Sequence, residues 1–184
     1  MNTIYNQGAD GTCVAFSIFN CLESQLNVEI TQEYAEAEIK RLGEEGKDIT
    51  NGTTLLALGT RMKIKPLAGC KVKTLKKIWS DGKRLQPTDI IKINQVIKDH
   101  QAIIGLKIRT GKPTLKLKNY VLVPYKTEVR DGHALFVESY DPKKKLYCIE
   151  NSWGDFGKNG KFYIKESDFL TEVEALYQVE FVKA

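Results

Sequence analysis

Long apolar runs and closely paired cysteines are scarce in this sequence, and histidines are few. The first two shortages exclude whole classes of protein. No stretch of eighteen consecutive apolar residues occurs, so the sequence predicts no membrane-spanning helix. The four cysteines show no C-x-x-C spacing, which argues against a structural zinc cluster. Four cysteines in 184 residues are also too few for a scaffold that depends on disulfides. We therefore expect free thiols and no bound metal.

Charge is not concentrated in any one segment. The formal net charge is +5, and the lysines are scattered, with the densest groups at 71–77 and 142–145. A nucleic-acid-binding surface would interleave aromatic residues with a concentrated basic stripe. We therefore expect a solvated lysine-rich surface, with no nucleic-acid and no membrane partner. Residues 1–12 contain no apolar segment resembling a secretion signal, and the expected free thiols favour an intracellular or viral location without fixing it.

The two halves of the chain show different periodicities. Apolar residues recur at helical spacing from Gly11 to about Gln25, with Thr12 as the predicted N-cap. Further helices are predicted over 31–43, capped by Thr31, and over 53–62 and 89–100. The stretch between 63 and 88 is interpreted as irregular, and from residue 102 onward strands are predicted over 102–108, 133–140, 145–153, 160–165 and 174–182. The pattern predicts a single α+β domain over 1–184, with a helical lobe at about 1–100 and an antiparallel β-rich lobe at about 101–184.

Cys13 stands in the segment NQGADGTCVAFS (6–17), where a glycine-containing loop gives way to the first predicted helix. Only the thiolate attacks well, and an unperturbed thiol with a pKa of about 8.5 is mostly protonated at neutral pH. The positive end of the helix macrodipole would lower that pKa. A histidine alongside would complete an ion pair and later protonate the leaving group. This setting predicts Cys13 as a nucleophile.

Only two histidines could serve as its partner. His100 follows a predicted helix ending in VIKDH, and a cation near a helix C-terminus is a sufficient structural reason for it. His133 opens a predicted strand after RDG, and the next strand ends in ENSWGDFGKNG (150–160). A short turn at 141–145 would bring Asn151 beside His133, where it could fix the orientation of the ring, with Trp153 covering that bond. The letters N-S-W-G alone would also suit a simple turn.

Gln7 is the candidate for an oxyanion hole. Acyl transfer develops negative charge on the substrate carbonyl oxygen, and donors aimed at that atom stabilise it. The side-chain amide of Gln7 and the backbone N–H of Cys13 could supply two such donors. Gly8 and Gly11 would let the loop between them fold tightly.

Three ordered segments, NQGADGTCVAFS, GHALFVESYD and ENSWGDFGKNGKFYI, resemble the papain-like cysteine peptidases, the papain/cathepsin family. The resemblance covers essentially the whole chain. It implies a two-lobed fold with the active site in the cleft between the helical and the β-rich lobe, and no cofactor. It also implies Cys13 as nucleophile, His133 as acid and base, Asn151 as the residue that orients the histidine, and Gln7 in the oxyanion hole.

The resemblance extends to substrate binding. It implies that an extended substrate pairs with the segment around Gly52 and Thr53. The pocket for the side chain two residues before the scissile bond would lie near Asp131 and Gly132. An apolar side chain is the expected occupant, and Asp131 would allow lysine or arginine there if its carboxylate turned inward.

The sequence departs from the family pattern near the nucleophile. Asp10 stands where the family often has a disulfide cysteine, Val14 stands in place of an aromatic residue, and Phe156 stands where a tryptophan is common. These departures indicate a divergent microbial or viral member, and none of them removes a catalytic group.

The leading hypothesis is a monomeric cysteine endopeptidase that hydrolyses peptide or protein substrates through a thioester acyl-enzyme. An inhibitory pro-segment outside these 184 residues is a further candidate partner. The same triad could instead serve isopeptide cleavage or peptide ligation. A third hypothesis, from a different class, is a catalytically silent module that binds peptides in the same cleft.

Overall fold

The computed structural model describes residues 3–8, 11–46, 48–82, 86–109, 115–124 and 130–184. Within these ranges the chain forms five helices and eight strands. The helices are α1 (Cys13–Leu26), α2 (Gln32–Glu44), α3 (Leu55–Ile64), α4 (Pro87–Lys98) and α5 (Glu166–Glu172). The strands are β1 (Cys70–Ser80), β2 (Ala102–Arg109), β3 (Leu117–Lys118), β4 (Val121–Leu122), β5 (Arg130–Asp141), β6 (Leu146–Glu150), β7 (Lys161–Lys165) and β8 (Val173–Lys183).

The eight strands form one sheet in the order β1-β8-β2-β5-β6-β7-β4-β3. The pairings are antiparallel, apart from a parallel contact between β4 and β7. The predicted hairpin is confirmed, since β5 ends opposite the start of β6, with Asp141 paired to Leu146. This return brings the end of β6 back toward the first half of β5.

The mixed helix-and-sheet class is confirmed, but one stretch differs from the prediction. The segment interpreted as irregular contains β1, which pairs along its length with β8. Register shifts between Val72 and Thr74 and between Lys77 and Trp79 interrupt its alternation. Because such bulges break the period of two, the strand pattern is not visible in the sequence. A strand from the predicted helical half therefore joins the sheet, and the two-lobed division stays a prediction.

Successive residues of the central strands face two separate cores, one on each side of the sheet. On β2, Ile103 packs in the core formed with α1, α2 and α3, whereas Ile104 packs in the core beneath α4 and α5. On β5, Phe136 and Leu135 divide between the two cores in the same way. Helices therefore cover both faces of the sheet, as the alternation of side chains along each strand requires.

Helix α1 is the central element of the first core. The ten consecutive residues from Val14 to Glu23 within this helix are all buried. The helix packs against β5 and β8. The predicted N-cap of α2 is confirmed, because the Thr31 hydroxyl accepts a hydrogen bond from Tyr34 N at 3.2 Å. Thr12 immediately precedes α1, but its side chain does not cap the helix. Among the helices described, none is long and apolar enough to cross a membrane.

The loop between β6 and β7 depends on a glycine. Gly157 has φ of +88°, and a Cβ built there would lie 2.2 Å from the carbonyl oxygen of Lys161. Gly69 is a matched control, because its φ is also positive, at +66°, yet a Cβ there meets nothing within 4 Å. We predict that Gly157→Ala lowers the free energy of unfolding by about 3 kcal/mol or more, against about 1 kcal/mol for Gly69→Ala. Urea denaturation of both variants checks this, and equal losses would contradict the packing of this loop.

Candidate active site

Cys13 is positioned by a tight contact between the loop that precedes it and a neighbouring turn. Gly11 N donates to Thr50 O at 2.5 Å. A Cβ built on Gly11 would lie 2.6 Å from Gly52 N, so only glycine allows the two backbones to approach this closely. The thiol then meets the sheet, where Ala134 N lies 3.5 Å from Cys13 Sγ and donates toward it.

His133 and Asn151 are joined by a buried hydrogen bond. His133 Nε2 lies 2.9 Å from Asn151 Oδ1, and both residues are almost fully buried, with 3% and 2% exposure. Asn151 Oδ1 also accepts a hydrogen bond from Ser152 N at 2.9 Å, which fixes the orientation of the amide. Because Nε2 is engaged with Asn151, Nδ1 is the ring nitrogen that remains for chemistry.

Trp153 packs against the His133 ring. Its ring stacks on the His133 imidazole with a centroid separation of 4.5 Å and an interplanar angle of 16°. Phe156 packs edge-on against Trp153, with centroids 5.4 Å apart. The indole therefore lies over the His133 ring and helps to exclude water from it.

His100 occupies a different place. It follows the C-terminal end of α4, and its carbonyl oxygen accepts hydrogen bonds from Gln25 Nε2 at 3.0 Å and Cys21 Sγ at 3.3 Å. Cys21 and Gln25 lie two or more turns along α1 from Cys13. Of the two histidines, His133 is therefore the one placed near the start of α1.

Gln7 is held against the loop that carries Asn151. Its backbone N–H donates to Ser152 O at 2.8 Å, and its side-chain Oε1 accepts from Ser152 Oγ at 2.5 Å. With Oε1 accepting, Nε2 is the side-chain atom that can act as a donor. Ser152 was not singled out in the sequence, although its place within N-S-W-G beside Asn151 was a usable signal.

Burial raises the pKa of the Cys13 thiol and lowers that of the His133 imidazole, and in both cases it favours the neutral form. It raises the pKa of the Cys13 thiol, although the backbone N–H groups of Ala134, Val14 and Cys13 itself lower it in part. The expectation that the helix start would lower this pKa overall is therefore wrong, because desolvation outweighs the N–H groups. Burial likewise lowers the pKa of His133 to about 4, against the opposing effect of Asn151. Taken singly, each group is neutral at pH 7.

Cys13 and His133 line one cavity of about 240 Å³. Thr53 and Gly132 line the same cavity, whereas Asp131 is exposed and is not among its lining residues. Gly52 lies against Gly11, as described above.

Glu174, from β8, supplies a carboxylate to this cavity. A Cβ built on Gly132 would lie 2.5 Å from Glu174 Oε1, and one on Gly105 would lie 2.9 Å from it. The carboxylate therefore covers two glycines on the neighbouring strands β5 and β2. This residue was missed in the sequence, because its place depends on the register of β8 with β2, which no local pattern encodes.

The four cysteines are free but differ in accessibility. Cys13 is half-buried, whereas Cys21, Cys70 and Cys148 are buried. Burial raises the pKa of all three buried thiols, that of Cys148 to about 12.

We predict that limiting iodoacetamide labels Cys13 first, and that the denatured, unreduced protein yields close to four thiols. Mass-spectrometric mapping checks the order, and uniform labelling of the native protein would contradict it.

No protein-family model and no curated protein matches the sequence. Among solved structures, the chain is similar to xylellain, a cysteine protease from Xylella fastidiosa, with a TM-score of 0.62. The two share 13% sequence identity, and the match covers 96% of this chain and 82% of xylellain. At this identity the likeness establishes a shared fold, and the chemistry has to be argued from the residues themselves.

Proposed function

We propose that the protein is a cysteine endopeptidase that hydrolyses peptide bonds through a thioester acyl-enzyme. The observation that carries the proposal is that His133, which is hydrogen-bonded to Asn151 and stacked on Trp153, lines the same cavity as Cys13. A purely structural histidine would not need an accessible thiol beside it. The fold shared with a cysteine protease supports the same conclusion.

The reaction begins with transfer of the Cys13 proton to His133 Nδ1. Each charge alone is disfavoured by burial, but the thiolate and the imidazolium formed together stabilise one another. The thiolate attacks the substrate carbonyl carbon, forming the C–S bond and placing the negative charge on the carbonyl oxygen. Gln7 Nε2 and the Cys13 backbone N–H donate to that oxygen.

Collapse of this intermediate breaks the C–N bond, and the imidazolium protonates the departing amine. The thioester on Cys13 is then attacked by water, with neutral His133 accepting the proton. Collapse of the second intermediate breaks the C–S bond and releases the acid, and the His133 imidazolium returns its proton to the Cys13 sulfur. Asn151 keeps the imidazole in one orientation through both proton transfers, acting as a positioning residue.

The cavity that holds Cys13 and His133 would receive the substrate side chain two residues before the scissile bond. Its walls include Val14, Leu55 and Tyr177, so an apolar side chain would fit. Glu174, rather than Asp131, supplies the carboxylate that would allow lysine or arginine there.

Peptide-library digestion tests the proposed activity. Wild type should generate new free carboxyl termini detectable by mass spectrometry, and Cys13→Ala should generate none. Gln7→Ala should lower kcat by about a hundredfold or more, because the developing oxyanion loses a donor. Joined peptides would indicate a transpeptidase, and binding without any new termini would indicate a silent peptide-binding module.

The pH dependence of Cys13 alkylation tests the role of His133. In wild type, proton transfer to His133 should make Cys13 react with iodoacetamide at pH 6. In His133→Ala the thiol must ionise alone, and burial raises its pKa above the ordinary value for a thiol. The alkylation rate at pH 6 should therefore fall about a hundredfold and recover as the pH rises. His100→Ala serves as the control and should keep the wild-type profile. If His133→Ala also keeps it, the proposed proton transfer is wrong.

A further inference from the structure

Three charged side chains meet at the end of strand β6, one residue before Asn151. The Lys161 ammonium on β7 lies 2.5 Å from Glu138 Oε1 on β5 and 3.0 Å from Glu150 Oε1 on β6. Glu150 is the last residue of β6 and immediately precedes Asn151. Because β6 lies between β5 and β7 in the sheet, this ion cluster of Glu138, Glu150 and Lys161 links three adjacent strands.

The ion cluster lies where the ladder between β5 and β6 ends. Phe136 and Glu150 form the last pair of that ladder before Asn151. On the other side of β6, Glu150 pairs with Lys161, and Asn151 N donates to Gly160 O at 2.9 Å. The backbone position of Asn151 relative to β5 therefore depends on how Glu150 is held between its two neighbouring strands.

The side chain of Asn151 is held through one of its two polar atoms. Its Oδ1 lies 2.9 Å from His133 Nε2 and 2.9 Å from Ser152 N. The buried Nδ2 has no hydrogen-bond partner among the described residues. The amide therefore has no second anchor that would resist a shift of its backbone, and a movement of the β6 end would carry Oδ1 away from His133.

Within the ion cluster one ammonium serves two carboxylates. Glu150 is 4% exposed, and the side chains of Glu138 and Lys161 are 30% and 27% exposed. Burial opposes the charged forms of Lys161 and Glu138, but the hydrogen bond between them outweighs it, so the pKa of Lys161 is raised and that of Glu138 is lowered. Removing one partner of such a pair leaves a partly buried charge without compensation, which is costly.

The other titratable groups around the ion cluster supply no second cation that contacts both carboxylates within the described part of the chain. His100, which follows α4, acts on Glu138 electrostatically and lowers its pKa. Four further groups have raised pKa values and stay neutral at pH 7, through burial or, on β7, chiefly through a neighbouring thiol: Tyr5, Cys21, Cys148 and Tyr163.

We propose that Lys161 is a positioning residue for the candidate site, which keeps Asn151 in place for His133. It does so by holding the two carboxylates of the ion cluster together at the end of β6. Lys161 is not among the residues that line the cavity of Cys13 and His133, so it acts through Asn151 and not on the substrate. The effect on turnover rests on the peptidase function above, whereas the effect on the His133–Asn151 hydrogen bond does not.

NMR of ¹⁵N-labelled imidazoles tests the effect on the hydrogen bond without any substrate. The exchange rate of the His133 Nε2 proton is measured in wild type and in Lys161→Met, with the two histidines assigned through His100→Asn. In Lys161→Met the two carboxylates repel each other, and burial favours protonation of Glu150. The proton should exchange about tenfold faster than in wild type at pH 8, and the difference should shrink at pH 5.5, where protonation relieves the repulsion.

A second substitution distinguishes positioning from a general loss of stability. Adding Glu150→Gln to Lys161→Met removes the buried carboxylate and should restore the wild-type exchange rate at pH 8, and Lys161→Arg should keep it. The kcat for peptide cleavage should follow the same order, with KM unchanged. The control is Lys73→Met, which removes an exposed ammonium 2.7 Å from Glu180 in another cross-strand pair and should change neither rate.

An unchanged exchange rate in Lys161→Met at pH 8 would overturn the proposal. A loss of equal size at both pH values that Glu150→Gln does not reverse would also overturn it. If Lys161→Met does not fold, Glu138→Gln removes one ion pair at a partly exposed side chain and should speed exchange about threefold, and no change there would be equally decisive. If wild type cleaves no peptide, the peptidase function fails, while the exchange rates still decide the role of Lys161.

Discussion

The burial of α1 against β5 and β8 is the constraint on which the candidate site depends. Ten consecutive buried residues, from Val14 to Glu23, fix the helix on the sheet and so fix Cys13 at its first turn. The buried Glu23 extends this effect, because its carboxylate accepts hydrogen bonds from Thr3 N, Thr3 Oγ1 and Ile30 N. The N-terminal segment that carries Gln7 is thus attached to the same helix as the thiol. Cys13, Gln7 and β5 are therefore held by one packed unit.

Burial also sets the electrostatic requirement of the site. A neutral thiol and a neutral imidazole cost little to bury, whereas a lone thiolate or imidazolium would cost several kcal/mol. In the proposed mechanism the reactive state is the pair, in which the two charges offset each other. The contacts of His133 with Asn151 and Trp153 hold the ring in one orientation. On this account His133 is needed for ionisation of Cys13, which the helix start alone does not achieve.

The sequence indicated the parts of the site whose signals are local. Cys13 at a helix start, Thr31 as an N-cap and the β5–β6 hairpin each follow from a few adjacent residues, and the hairpin was enough to bring Asn151 to His133. Features set by tertiary packing were not accessible. The bulges of β1 hid its alternation, α5 is a seven-residue helix between two strands, and Glu174 reaches its cavity only through the register of β8. The direction of the Cys13 pKa was wrong because the extent of burial is not a local property.

The thioester on Cys13 is the central claim, and trapping it is the most direct test. Wild-type protein would be mixed with a peptide ester, quenched in acid within milliseconds to seconds, and measured by intact mass and peptide mapping. The account predicts a mass increase equal to the acyl part of the substrate, located on Cys13 and lost when hydroxylamine is added. Product release with no acyl adduct at any time, or an adduct on another residue, would contradict it.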